Sequence, residues 1–218
     1  MKPFARRNAE FDELKKTTRR QLLATAGMGF GLAVSPLSCS AGQGARPEAS
    51  RLLKPGETVD VGGERAEIIQ KAYDLGHEYE KRHGGCARCT VAALQDALPF
   101  VMVDEGLFRG STCLDGGATP TGTQNCGGFT GAGMIIGYLC GSTRHAEFEG
   151  SAHLAHQLLH RVYDRFKEAY GTVLCKDVGK CAEHDCPKVV GTAAKWVAEV
   201  LLDEFAPDKA DDSTDSNA

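Results

Sequence analysis

Cysteines are the residues of this chain with the most chemical potential. The 218-residue sequence contains nine of them. Eight lie beyond residue 85: Cys86, Cys89, Cys113, Cys126, Cys140, Cys175, Cys181 and Cys186. Thiolates bind metals, form disulfides or act as nucleophiles. The set is therefore compatible with a metal centre, with thiol redox chemistry or with a disulfide-stabilised domain.

Two of these cysteines have the spacing of a two-thiol motif. Cys86 and Cys89 form a Cys-x-x-Cys, which serves zinc sites, iron–sulfur clusters and dithiol redox sites alike. Covalent haem attachment needs a histidine directly after the second cysteine, and Thr90 stands there instead. The motif excludes c-type haem attachment and leaves the other uses open.

Four histidines are further candidate ligands. His153, His156 and His160 are spaced by three and four residues, so they would share one face of a helix. A solvated polar stripe is the more usual result of this spacing, because a metal site needs further groups. His184 lies between the last two cysteines and could replace a thiolate at a cluster.

The N-terminus predicts export of a folded protein. Arg19 and Arg20 precede a weakly apolar, uncharged run over 22–34. This pattern is typical of a twin-arginine signal peptide, which we predict over residues 1–41. Because that route carries folded proteins, it suits a cofactor inserted before export, and we expect a periplasmic location. Cys39 occupies a position that lipidation could use, but the residues before it favour removal of the segment.

Removal of the signal leaves a strongly acidic chain. Residues 1–40 carry seven Lys or Arg and three acidic residues, so their loss changes the formal net charge from −4 to −8. A protein this acidic is a poor binder of nucleic acid, since phosphate neutralisation needs clustered Lys and Arg. No later segment has the roughly twenty apolar residues of a membrane span. We therefore expect a periplasmic protein partner, no nucleic acid and no integral membrane segment.

Composition divides the mature chain into three parts. Residues 42–63 are rich in Gly, Pro, Glu and Ser, which predicts a flexible leader. Residues 207–218 form an acidic tail with nothing to bury, which predicts disorder. The segment between them, 64–206, is long enough for one domain with its own core.

Helical periodicity dominates that domain. Apolar residues recur at spacings of three and four, and no segment alternates strongly enough to form a sheet. Helices are predicted at 64–83, 86–98, 127–140, 151–170 and 187–205. The segment 110–125 has the composition of a loop. The sequence therefore predicts an all-α bundle of about five helices.

Several cysteines fall at the ends of the predicted helices. Cys86 and Cys126 begin the second and third helices, and Cys175 and Cys186 flank the loop after the fourth. Because a helix N-terminus presents N–H groups and a positive dipole end, we expect these positions to lower thiol pKa values. The third helix is rich in small residues, so it should be buried where a backbone or a cofactor approaches closely.

These features resemble the C-GCAxxG-C-C family of redox-active proteins over about residues 65–205. The similar segments are 85–87, the pair Gly116-Gly117, the run 126–132, and 166–175. The four cysteines of the family pattern correspond to Cys86, Cys126, Cys175 and Cys186. Gly128 replaces an alanine of the family motif. The extra cysteines Cys89, Cys113, Cys140 and Cys181 lie outside the pattern.

The same region is similar to the iron–sulfur domain of split-Soret cytochromes c, but without the haem attachment motif. That resemblance implies a [2Fe–2S] cluster held by the four family cysteines, which agrees with the common four-thiolate ligation of such clusters. Because no Cys-x-x-Cys-His string occurs in the sequence, the protein would be a haemless relative.

Together the sequence predicts an exported redox protein. Electron transfer through a [2Fe–2S] cluster to a periplasmic partner is favoured. Two alternatives stay open: a thiol-disulfide oxidoreductase that uses Cys86 and Cys89, and a structural metal or disulfide-stapled domain that binds a partner. A homodimer is compatible with the sequence, and whether the protein is an enzyme stays undecided.

Overall fold

Helices make up almost all of the regular structure. The computed structural model describes residues 52–144 and 152–207. The predicted signal peptide, Cys39 and the acidic tail from residue 208 lie outside the described residues. Within them there are seven α-helices and no β-strand: α1 (Arg65–His83), α2 (Cys86–Ala97), α3 (Glu105–Ser111), α4 (Gly127–Cys140), α5 (Ala152–Tyr170), α6 (Cys175–Cys181) and α7 (Cys186–Phe205).

The all-α prediction is confirmed, but the number of helices is higher than predicted. All five predicted helices are present, and α3 and α6 add seven residues each. Such short helices offer too few residues for a periodic pattern to stand out. The Asp104 carboxylate starts α3 by accepting a hydrogen bond from the Leu107 N–H over 2.7 Å. A 3-10 turn, Thr112–Leu114, continues it into the segment predicted as a loop.

The longest helix begins and ends where its sequence predicts. Asp185 precedes α7 and accepts a hydrogen bond from the Lys188 N–H over 3.2 Å. Pro187 then occupies the first turn, where its missing N–H costs nothing. These two local features fix the start of α7 and thereby the position of Cys186.

The core lies between α1, α2, α4, α5 and α7. Helices α1 and α7 pack closely because glycines face each other: a Cβ on Gly76 would lie 3.1 Å from the Cα of Gly191. The small-residue helix α4 packs against α2, α5 and α7. Its Ala132, Ile135 and Leu139 are fully buried, which confirms the prediction that this helix lies inside.

Residues 52–63, which belong to the predicted leader, lie against the helices. Leu53 is buried, and its N–H donates to the Leu139 carbonyl over 2.8 Å. Further along, the Val59 N–H donates to the Phe205 carbonyl over 2.7 Å. The mobility of the segment stays a prediction.

The surface helix α5 is amphipathic. Leu158, Val162 and Phe166 are buried in the core, whereas the His-bearing face is exposed. None of the helices in residues 52–144 and 152–207 is both long enough and apolar enough to cross a membrane.

Candidate metal centre

Each of the four family cysteines lies at the N-terminus of a helix. Cys86 is the first residue of α2, Cys126 is the N-cap of α4, and Cys175 and Cys186 are the first residues of α6 and α7. The predicted placement at helix ends is confirmed, and the unpredicted helix α6 gives Cys175 the same setting as the others.

Backbone hydrogen bonds bring two of these helix starts together. The Cys126 N–H donates to the Val173 carbonyl over 2.7 Å, and the Cys175 N–H donates to the Gln124 carbonyl over 2.9 Å. These bonds form a short antiparallel bridge between the segments before α4 and α6. Positions about fifty residues apart in sequence thereby become neighbours.

The loop before α4 supports the start of α2. One carboxylate oxygen of Asp115 accepts hydrogen bonds from the N–H groups of Ala87 and Arg88, over 2.8 and 3.3 Å. The next residue, Gly116, donates its N–H to the Sγ of Cys86 over 3.3 Å. The loop thus caps α2 and binds the first cysteine of that helix.

Two glycines leave room for the cysteine side chains. Gly117 has a φ of +72°, and a Cβ there would lie 2.7 Å from the Cβ of Cys175. On α4, a Cβ at Gly127 would overlap the Sγ of Cys86 and lie 2.7 Å from the Ala87 nitrogen. Any larger residue at these positions would push the cysteines away.

Burial raises the pKa of all four thiols above the usual range. For Cys126, where burial outweighs hydrogen bonds from backbone N–H groups, the pKa rises to about 12. The expectation that helix N-termini lower these pKa values is therefore wrong, because desolvation of the thiolate exceeds the stabilisation by N–H groups.

Neighbouring thiols contribute to the same shifts. Cys126 disfavours ionisation of Cys86, while Cys175 and Cys186 disfavour ionisation of Cys126. Cys175 also raises the pKa of Cys186. Each of the four thiols therefore interacts electrostatically with at least one other, and these pairwise interactions connect all four into one set.

The four thiols lie at the edge of the domain. Cys86 and Cys126 are buried, with 8% and 5% of their surface exposed. Cys175 is partly buried, and Cys186 is exposed as a residue although its sulfur is partly desolvated. The site thus has an inner pair of sulfurs in the core and an outer pair that reaches the surface.

Hydrogen bonding separates the inner pair from the extra cysteines. The Sγ of Cys86 accepts from the Gly116 N–H, and that of Cys126 accepts from backbone N–H groups at the start of α4. Three of the four extra cysteines instead donate their S–H to carbonyls: Cys89 to Gly84 over 3.5 Å, Cys140 to Ile136 over 3.0 Å and Cys181 to Tyr170 over 3.4 Å. Acceptance of N–H groups suits a thiolate, whereas donation suits a protonated thiol.

The Cys86–Cys89 pair does not have the properties of a reactive dithiol. Cys89 is only 3% exposed, and burial together with the nearby Glu80 raises its pKa to about 12. Burial also raises the pKa of Cys86. A nucleophilic cysteine needs exposure and a lowered pKa, so neither thiol fits the oxidoreductase alternative.

The remaining candidate residues lie on the surface. Cys113 is exposed, as are His153, His156 and His184. The exposed His160 pairs with Asp164, ring nitrogen to carboxylate oxygen, over 3.1 Å. His184 meets a family cysteine only through the backbone, where its carbonyl accepts a hydrogen bond from the Cys186 N–H over 3.0 Å.

The sequence analysis did not identify two acidic residues that lie at the site. Asp115 caps α2 from a distant loop, and Glu80 on α1 is a largely buried carboxyl whose pKa rises to about 7 through burial. One signal did exist for Asp115. The residues before Cys86 are Gly84 and Gly85, which offer no side-chain cap, so a capping group had to come from elsewhere.

The donor chemistry of the site fits a metal–sulfur group. It offers four soft sulfur donors, backbone N–H groups directed at the two inner sulfurs, and a buried carboxylate. As the side chains lie, no three His, Cys, Asp or Glu side chains of residues 52–144 and 152–207 are arranged to hold one metal ion.

Comparison with known proteins identifies the family. Residues 84–200 match the family model described as "Putative redox-active protein (C_GCAxxG_C_C)". The match covers more than half of the 218 residues and includes Cys86, Cys126, Cys175 and Cys186. No curated protein and no solved structure matches the chain. The chain belongs to the C_GCAxxG_C_C family.

Proposed function

We propose that this protein transfers electrons through a [2Fe–2S] cluster held by Cys86, Cys126, Cys175 and Cys186. One observation carries the proposal: the four family cysteines start four different helices and form one continuous electrostatic set. When bound, such a cluster accepts and releases single electrons. Four thiolates are its common ligands.

The raised thiol pKa values support metal ligation over free thiol chemistry. Buried thiols that disfavour one another's ionisation stay protonated unless a cation replaces the protons. A metal deprotonates its thiol ligands outright, so the group that best stabilises this set is a positively charged one.

The arrangement of inner and outer sulfurs suits electron exchange with a protein partner. Cys86 and Cys126 anchor the group in the core, and Cys175 and Cys186 bring it to the surface. An electron can then pass at the surface without a substrate pocket. We propose that the partner is a periplasmic redox protein and that the twin-arginine signal over 1–41 exports the folded, cluster-loaded chain.

Metal and sulfide analysis tests the proposal directly. Protein matured with its own signal should contain about two irons and two acid-labile sulfides per chain, with visible absorption that bleaches on reduction. Stoichiometric zinc without sulfide would instead support a structural metal site. A colourless protein without metal would contradict both.

A further inference from the structure

The loop that contacts the cysteines contains a run of left-handed backbone. Four consecutive residues have a positive φ: Gly116 (+63°), Gly117 (+72°), Ala118 (+54°) and Thr119 (+49°). Glycine adopts this conformation freely, but Ala118 and Thr119 carry a Cβ that disfavours it, and Thr119 is also β-branched. We call residues 116–119 the left-handed turn. Such backbone persists only where the surrounding structure holds it in place.

Within residues 52–144 and 152–207, positive φ at residues other than glycine occurs only near the cysteines. Besides Ala118 and Thr119, the examples are Glu183 and His184, which lie between α6 and α7 just before Cys186. Strained backbone of this kind concentrates at functional sites, where it fixes the position of reactive groups. The conformation of the left-handed turn is therefore expected to serve the cysteine site.

The left-handed turn brings a hydrogen-bond donor to one cysteine and its backbone close to another. The Gly116 N–H donates to the Sγ of Cys86 over 3.3 Å. A Cβ on Gly117 would lie only 2.7 Å from the Cβ of Cys175, so the backbone passes close to that residue. A change in the turn would therefore reach an inner and an outer cysteine together.

Thr121 contacts this turn from the surface. Its exposed side chain places the hydroxyl oxygen 3.0 Å from the Gly117 carbonyl and 3.1 Å from the Ala118 carbonyl. The same oxygen lies 2.9 Å from the Thr123 hydroxyl and 3.4 Å from the Thr123 nitrogen. Carbonyls can only accept, so Thr121 donates its proton to the turn and accepts from Thr123. One hydroxyl thus holds the carbonyls of the two central residues of the turn.

Backbone hydrogen bonds close the loop around the turn. The Gly116 carbonyl accepts the Gly122 N–H over 2.9 Å, and the Gly117 carbonyl accepts the Gln124 N–H over a longer 3.3 Å. The Thr121 hydroxyl reinforces the longer of these contacts and adds a bond to the next carbonyl. Loss of the hydroxyl would leave the strained centre of the turn less restrained.

We propose that Thr121 is a positioning residue of the redox centre: its hydroxyl holds the left-handed turn, and the turn holds the Gly116 N–H on the Cys86 sulfur. This inference rests on the proposed electron-transfer function of the same cysteines. An N–H directed at a ligand sulfur stabilises the additional negative charge of the reduced centre and so raises its reduction potential. Thr121 thereby sets the potential without contacting a ligand.

Amide exchange in reduced, metal-free protein tests the positioning. Thr121→Val removes the hydroxyl and keeps the shape of the side chain, and NMR follows the Gly116 amide. Hydrogen exchange of this amide should accelerate roughly 2–10-fold, the range that corresponds to the loss of one hydrogen bond. Thr121→Ser keeps the hydroxyl, so its Gly116 amide should exchange at the wild-type rate.

The midpoint potential of matured protein tests the effect on the redox centre. In Thr121→Val it should fall by about 20–60 mV, which is the same 2–10-fold change converted at 59 mV per factor of ten for one electron. The visible spectrum should keep its form, because no ligand is lost. A redox titration followed by absorption measures both quantities.

Thr112→Val is the matched control. Thr112 is an exposed threonine in the 3-10 turn just before the loop, and in the described part of the chain no hydrogen bond joins its side chain to the left-handed turn. Its substitution should change neither Gly116 exchange nor the potential. Circular dichroism establishes that each variant is folded. Wild-type Gly116 exchange in folded Thr121→Val would overturn the proposal, as would a wild-type potential in its cluster-loaded form.

The outcome is separable from that of the cluster proposal. If matured protein holds neither iron nor sulfide while Thr121→Val accelerates Gly116 exchange, the cluster proposal fails and the positioning of the Gly116 donor at Cys86 stands. If matured protein carries the cluster while Thr121→Val matches wild type in exchange and in potential, the positioning role fails and the cluster proposal stands.

Discussion

The Sγ of Cys86 accepts a hydrogen bond from the backbone N–H of Gly116 over 3.3 Å, although thirty positions separate the two residues. The loop that makes this contact also caps α2 through Asp115 and, at Gly117, packs against Cys175. One loop therefore connects an inner and an outer cysteine. Substitutions in the loop and in α4 should affect the centre in different ways.

Cys126 should be the least replaceable cysteine. Cys126→Ser should abolish or strongly alter the visible spectrum, because this buried sulfur lies within reach of the other three. Cys140→Ser is the control: Cys140 is also buried, but it lies at the opposite end of α4, about 20 Å away at 1.5 Å per residue. An unchanged spectrum in Cys126→Ser would contradict the assignment of ligands.

Loss of the distant cap on α2 should affect the centre beyond its effect on stability. Asp115→Ala should destabilise the protein by about 1 kcal/mol and reduce metal content, because Gly116 then loses its position at Cys86. Asp104→Ala removes the cap of α3 instead. That variant should lose a similar amount of stability in chemical unfolding yet keep its metal. Equal metal loss in both variants would mean that general destabilisation is responsible.

The glycine that faces Cys86 should not tolerate a side chain. Gly127→Ala should destabilise the protein by about 1–3 kcal/mol through overpacking and displace the Cys86 sulfur. Gly137 lies on the same helix with nothing within 4 Å of an added Cβ. Gly137→Ala should therefore stabilise α4 by roughly 0.5–1 kcal/mol. Urea unfolding and metal content distinguish the two variants. If Gly127→Ala changed neither stability nor metal content, the close packing of Gly127 against the Cys86 sulfur would be contradicted.

Glu80 should make the stability of metal-free protein depend on pH. Burial raises its pKa from 4.5 to about 7, so its contribution to stability is complete below pH 4.5 and lost as the pH rises to about 7. Glu80→Gln, which cannot ionise, should match wild type at pH 4.5. At pH 8 it should be more stable by about 1–3 kcal/mol, allowing for partial solvent exposure of the carboxyl. If the difference in unfolding free energy between Glu80→Gln and wild type were the same at pH 4.5 and at pH 8, the raised pKa of Glu80 would be contradicted.

The predicted signal peptide can be tested without changing its charge. Replacement of Arg19 and Arg20 by lysine should retain the precursor in the cytoplasm, because the twin-arginine route recognises the arginine pair. Cell fractionation with an antibody to the mature domain measures the outcome. Normal periplasmic yield would show that export uses another route.

The helical architecture was accessible from local sequence patterns. Apolar spacing predicted the five longer helices, and the small residues of α4 predicted its burial. The short helices α3 and α6 were missed because seven residues carry too little periodicity. The consequence for the site is specific, since α6 places Cys175 at a helix start.

The sequence by itself determined which cysteines form the family pattern and that four of them fall near helix ends, because both properties depend on residue type and local spacing. Tertiary structure alone decided the rest. Burial reversed the expected direction of the thiol pKa shifts, hydrogen bonds distinguished Cys86 from Cys89, and Glu80 and Asp115 joined the site. These outcomes depend on packing between α1, α2 and a distant loop, and desolvation in that packed environment outweighs the electrostatics of any single helix end.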